Sequence, residues 1–81
     1  SNIGGWMTDQ QHRVRVGTKV EDDQVSIMVY DLDTKKWQAL WTYKIFSEEQ
    51  VDPLGFGKDP NEFYIRAYHQ SRQAIFRVNL K

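Results

Sequence analysis

Gly5-Trp6-x-x-Asp9 returns later in the chain as Gly55-Phe56-x-x-Asp59. An alternating segment through Val14 and Val16 returns through Phe63 and Ile65, and Met28-x-Tyr30-Asp31-Leu32 returns as Phe76-x-Val78-Asn79-Leu80. The offset slides from 50 through 49 to 48 residues, which reads as loop shortening between strands that keep their length. A chain that repeats itself at this spacing is a stack of similar units, and such units cannot bury both of their faces alone. The repeat therefore points to a piece of something larger.

The residues between the repeat marks read as strands. From Arg13 to Val20 charged and apolar residues alternate, with Val14, Val16, Thr18 and Val20 on one face and Arg13, Arg15 and Lys19 on a solvated one. Val25 to Leu32 is apolar on both faces, Val25/Ile27/Val29 against Met28/Tyr30/Leu32, as a strand covered from both sides should be. Glu21 to Gln24 and Asp31 to Lys36 supply turn formers, after which Trp37, Ala39, Trp41 and Tyr43 alternate on one face. Lys44 to Asp52 is a linking stretch in which Ser47-Glu48-Glu49 could form a helical turn, limited by Pro53. Leu54 to Phe56 is a short strand, Lys58 to Asn61 a tight turn, Phe63/Ile65/Ala67 a further strand, and Ala74/Phe76/Val78/Leu80 a last one after the turn at His69 to Arg72. The second copy stops where the first continues into Trp37 to Tyr43. The expected fold is all-β, with antiparallel meanders forming about one and a half β-propeller blades: a first blade over about 3–43, a linker over 44–52 and an incomplete second blade over 53–81. Ser1-Asn2 reads as the remnant of a cleaved expression tag and is set aside.

Composition excludes several functions. The chain has 81 residues, at most one small domain, and a chain of this size buries only about 60% of its unfolded surface. It has no Cys, hence no disulfide, thiolate nucleophile or Cys-based zinc site. Eleven basic and eleven acidic side chains cancel, so no overall field would draw nucleic acid or an anionic membrane, and neither is expected as a partner. No apolar run approaches the 18 or so residues of a membrane helix, and no signal peptide opens the chain, so a soluble chain is expected. Its compartment is unknown.

The string VDPLGFGKDPNEFYIRAYHQSRQAIFRVNL, with YDLDTKKW before it, resembles the N-terminal β-propeller of the prolyl-oligopeptidase family of serine peptidases, in its dipeptidyl-aminopeptidase and acylaminoacyl-peptidase branch. The matching elements are Gly55-Phe56, Asp59, the strand Phe63 to Tyr68, and Arg77-Val78-Asn79-Leu80, and the likeness covers most of residues 3–81. Such blade patterns are degenerate and also occur in propellers with no peptidase attached. The resemblance implies a non-catalytic cover over a separate hydrolase domain, which would be this chain's partner, and a role in restricting which peptides enter. In the dipeptidyl branch a pair of propeller Glu residues can bind the substrate's free amino terminus. Glu48-Glu49 shares adjacency with such a pair and no clear flanking match, so two exposed linker carboxylates are expected instead.

No catalytic, cofactor-binding or metal site is expected in the chain itself. Nucleophilic catalysis needs a Ser beside a base on a strained turn, and Ser1, Ser26, Ser47 and Ser71 all lack the flanking glycines of a Gly-x-Ser-x-Gly elbow. His12 and His69 read as ordinary strand-end histidines. Asp31-x-Asp33, with Asp22 and Asp23 nearby, is followed by Lys35 and Lys36 rather than further oxygen ligands, which favours turn chemistry over calcium. Gly55-x-Gly57 lacks the third Gly of a dinucleotide fingerprint. Trp37 and Trp41 could stack sugars or bases, but packing between neighbouring blades is the expectation unless truncation exposes them. Arg13, Arg15, Arg66, Arg72 and Arg77 read as solvated surface. Self-association is expected, because Trp37, Trp41, Phe63 or Phe76 would otherwise face water and the sheet edges are open. The alternative reading is a fragment of a protein-interaction propeller unrelated to peptidases.

Overall fold

The computed structural model describes residues 3–81; the tag-remnant reading of Ser1-Asn2 lies outside the described residues. Strands β1 (Ile3–Thr8), β2 (Val14–Glu21), β3 (Gln24–Asp31) and β4 (Lys36–Lys44) form an antiparallel sheet in the order β1-β2-β3-β4. Strands β5 (Gln50–Phe56), β6 (Glu62–His69) and β7 (Arg72–Asn79) form a second antiparallel sheet in the order β5-β6-β7. The all-β meander expected from alternation and turn residues is present, and the described residues contain no helix.

The linker is shorter than its composition implied. Strand pairing resumes at Gln50, so only residues 45–49 join the sheets, and they form a turn and a bend rather than a helical turn. Pro53 does not stop the strand because β5 is an edge, where a missing N–H interrupts no second ladder. Val51, read as linker, is buried in the core.

Strand register replaces the sliding offset with a uniform one. Ile3↔Lys19 corresponds to Val51↔Ala67, Met7↔Val16 to Gly55↔Tyr64, Gly17↔Met28 to Ile65↔Phe76, and Glu21↔Gln24 to His69↔Arg72, each pair displaced by 48 (3 to 51, 17 to 65). A bulge on the first strand recurs too, between Gly4 and Met7 in one sheet and between Pro53 and Gly55 in the other. The Gly-aromatic marks at offset 50 and the Val16-to-Ile65 match at 49 are therefore not equivalent places. Val16 is matched structurally by Tyr64, and Ile65 by Gly17.

That one-residue difference decides how the sheets stack, because a shift of one residue exchanges the faces of a strand. Val16, Ile27 and Val29 from the first sheet and Val51, Phe63 and Ile65 from the second share one core cluster. The counterparts of Val16, Ile27 and Val29 in the second sheet are Tyr64, Ile75 and Arg77, and Ile75 is 66% exposed. The counterparts of Val51 and Ile65 in the first sheet are Ile3 and Gly17, and Ile3 packs with Trp6 on the site where a Gly17 side chain would lie. The sheets thus stack front to back, each offering the other a different face of the same repeat. Phe63, expected to need an outside cover, is fully buried in this contact.

Alternation also fails within β4. An extra residue at Leu40, where the register jumps from Ala39↔Met28 to Trp41↔Ile27, reverses the faces along the strand. Trp37 sits opposite Tyr30 and Trp41 opposite Ile27, so the two indoles lie on opposite sides of the sheet rather than on the single face read from their spacing. Trp37 makes edge contacts with Trp6 and Tyr30 at centroid distances of 5.7 and 5.4 Å, and remains partly exposed.

Candidate functional site

Polar chemistry gathers first at the end of the sheets where the β1–β2 and β5–β6 turns meet. Asp9 starts the first turn. Its backbone N–H donates to the Arg13 carbonyl and its Oδ1 accepts from the N–H groups of Gln11 and Arg13, both at 3.0 Å, an Asx arrangement that fixes the loop. Its Oδ2 accepts from Arg13 Nε at 2.9 Å and Arg15 Nη1 at 3.3 Å. Burial alone would raise the Asp9 carboxyl, but these donors outweigh it and hold it below the usual carboxylate value.

Arg15 is the main correction at residue level. Alternation places it on a solvated face, whereas its exposure is 0%. Nε donates to the Tyr30 carbonyl at 2.9 Å, Nη1 donates to the Pro60 carbonyl at 2.7 Å, and the guanidinium lies 5.3 Å from the centroid of the Phe56 ring. Gln10 and Gln11 side chains donate to the carbonyls of Phe56 and Lys58. The two turns are latched across the sheet-to-sheet boundary by side chains of the first and backbone of the second. This is a structural tie: Arg15 touches carbonyls and a ring, and no nucleophile or open cavity adjoins it among the described contacts.

The second candidate is an open cleft at the far end. Trp41, Glu48, Glu49, His69 and the β6–β7 turn border a cavity of about 450 Å³. It adjoins a more apolar groove of about 600 Å³ that runs along Trp41, Val51, Ala67, Ala74 and Phe76. Glu48 and Glu49 are exposed linker residues, as expected, and Glu49 Oε1 pairs with His69 Nδ1 at 2.9 Å. Adjacency in sequence had not suggested that pairing, because His69 reaches the linker only through the hairpin that ends β6.

The remaining sequence candidates stay apart. Ser26 Oγ is 3.0 Å from Thr42 Oγ1 across the β3–β4 ladder, Ser47 Oγ donates to the Glu49 carbonyl, and Ser71 lies in the β6–β7 turn. His12 lies in the β1–β2 turn with φ of 65°. Asp31 Oδ1 accepts from the N–H groups of Asp33 and Thr34, and those two bonds lower its carboxyl; the aspartates serve the turn. Among the described residues no cluster of three or more His, Asp or Glu is placed to hold a metal ion. Comparison with protein-family models, curated proteins and solved structures returns no match to this chain.

Proposed function

We propose that the chain is a non-catalytic, architectural segment of a β-propeller, about one and a half blades long. In this reading its parent is a prolyl-oligopeptidase-like serine peptidase, in which the propeller covers a separate hydrolase domain and restricts substrate entry. The observation that carries the propeller reading is the uniform 48-residue register combined with front-to-back stacking. A two-fold sandwich would bury the same register positions from both sheets; blades arranged around an axis bury opposite ones. The peptidase parentage rests on the resemblance of Gly55-Phe56, Asp59 and Arg77 to Leu80 to blades of that family.

The test is the polypeptide sequence that continues beyond Lys81. Further blade-like repeats followed by a Gly-x-Ser-x-Gly elbow support the peptidase reading. Blade-like repeats with no elbow favour a protein-interaction propeller, to which the partly exposed Trp6, Tyr30 and Trp37 cluster would contribute a contact surface. A continuation with no such repeats overturns both.

A further inference from the structure

The two sheets present four edge strands, and three of them are interrupted. β1 and β5 carry bulges, β5 also carries Pro53, and β4 carries the bulge at Leu40. Bulges and prolines are the usual devices by which an edge is kept from pairing with another chain. β7 has neither. Its eight residues pair with β6 in unbroken register from His69↔Arg72 to Glu62↔Asn79, and nearly all of them are exposed. The same position in the first sheet, the outer side of β3, is covered by β4 from Gln24↔Lys44 to Asp31↔Lys36.

We propose that the β7 edge is a pairing surface for a second copy of this chain, which adds its own β7 antiparallel across a two-fold axis normal to the sheet. Hairpin geometry says which groups are available. Gln70-Ser71 is a two-residue turn, so the closing pair His69↔Arg72 exchanges hydrogen bonds and the outward-facing groups belong to Gln73, Ile75 and Arg77. Centred on Ile75, the two-fold pairing sets Ile75 against Ile75, Gln73 against Arg77 and Ala74 against Phe76 of the second copy. It forms about six backbone hydrogen bonds.

Charge selects this partner over other strand stacks. A two-fold axis normal to the sheet opposes only residues whose numbers sum to an even value, so Arg72 never meets Arg77 of the second copy. A parallel in-register stack would set every Arg on its own copy, and like charges directly opposite one another are unfavourable. Ala74 and Phe76 line the apolar groove beside Trp41, so the incoming Phe76 extends an apolar surface already present. This inference concerns the 81-residue chain by itself; in the propeller reading a strand following Lys81 would cover the same β7 edge, as β4 covers β3.

Sedimentation velocity on the 81-residue chain, from low micromolar to several hundred micromolar, tests it together with amide exchange by NMR. A reversible dimer is expected, with the amides of Gln73, Ile75 and Arg77 becoming protected as concentration rises. Ile75→Lys, which opposes two ammonium groups at the axis, should weaken the dimer by about ten-fold or more. Ile75→Pro removes an outward N–H while sparing the β6 ladder and should do the same. Phe46→Ser, at a 90% exposed linker residue, should leave the dimer intact. A monomer at every concentration overturns the proposal. So does a dimer in which these three amides exchange freely, whether or not either Ile75 variant folds.

Discussion

Arg15 shows what a single side chain can do that its place in a pattern conceals. Between Val14 and Val16 a charged residue belongs by alternation on the wet face, yet Arg15 is buried because Asp9, Tyr30 and Pro60 supply acceptors from positions 6, 15 and 45 residues away. Those partners have no signature near Arg15, so its role was not legible, and neither was the Asx turn at Asp9, which the sequence marks only as a repeated position. Asp9→Ala leaves a buried guanidinium without its counter-charge and should cost about 3 kcal/mol or more, read as a fall in the urea midpoint. Acid should act at the same place. Because folding holds the Asp9 carboxyl below its ordinary value, its contribution is complete above the unfolded-state value near 3.8 and is lost as pH falls through the lower folded one. Urea midpoints measured from pH 7 downward should therefore drop below about pH 4, and Asp9→Asn should flatten that part of the curve. A second residue-scale expectation concerns Gln70 and Ser71, both at positive φ (50° and 67°) in a two-residue hairpin turn that favours Asn-Gly. The double substitution Gln70→Asn, Ser71→Gly should raise stability by about 1 kcal/mol, measured as a higher thermal midpoint.

At the scale of elements, periodicity located the strands and bulges decided their faces. The interior of β3 was legible because Val25, Ile27 and Val29 alternate without interruption and all three are buried. β4 was not, since the single extra residue at Leu40 separates Trp37 from Trp41 by a change of face that spacing alone cannot reveal. The bulges on β1 and β5 recur at one register position, and the one on β1 carries Trp6 over a residue of the neighbouring strand. That residue is Gly17, whose missing side chain leaves the space Trp6 and Ile3 occupy; a Cβ there would lie 2.8 Å from the indole and 2.9 Å from Ile3 Cγ2. The corresponding Ile65 is a large core residue in the second sheet. Gly17→Ala should therefore cost about 1 to 3 kcal/mol and disturb the Trp6–Trp37 contact, visible as a change in near-ultraviolet dichroism. Ile65→Val, by contrast, trims a packed side chain without a clash and should cost about 0.5 to 1.5 kcal/mol.

For the whole molecule, the near-repeat in sequence was real but misaligned by up to two residues, and the physics of stacking explains why. Matching apolar residues with apolar residues pairs Val16 with Ile65, because both point into the shared core. In a front-to-back stack those two side chains come from opposite faces of the repeat, so the hydrophobic match is necessarily one residue away from the structural one. The second sheet's own outward face is different in character. At the positions of Val16, Thr18 and Val29 it carries Tyr64, Arg66 and Arg77, with Arg66 and Arg77 set 3.6 and 3.8 Å from Asp52 and Glu62. Only one of the two equivalent apolar faces is thus available for burial within this chain, and the contact between the sheets should govern the stability of both. All three tryptophans, Trp6, Trp37 and Trp41, lie in the first sheet, so their fluorescence reports chiefly on it, with Trp41 also bordering the second sheet's groove. Phe63 lies in the second and is fully buried between the two. Phe63→Leu removes part of a core side chain and should cost about 1 to 2 kcal/mol. If the latch at Arg15 and the shared core make one cooperative unit, the tryptophan fluorescence midpoint in urea will move with the far-ultraviolet dichroism midpoint and by the same amount. A fluorescence transition left in place while the dichroism splits into two steps would mean that the sheets fold separately and that their contact contributes little.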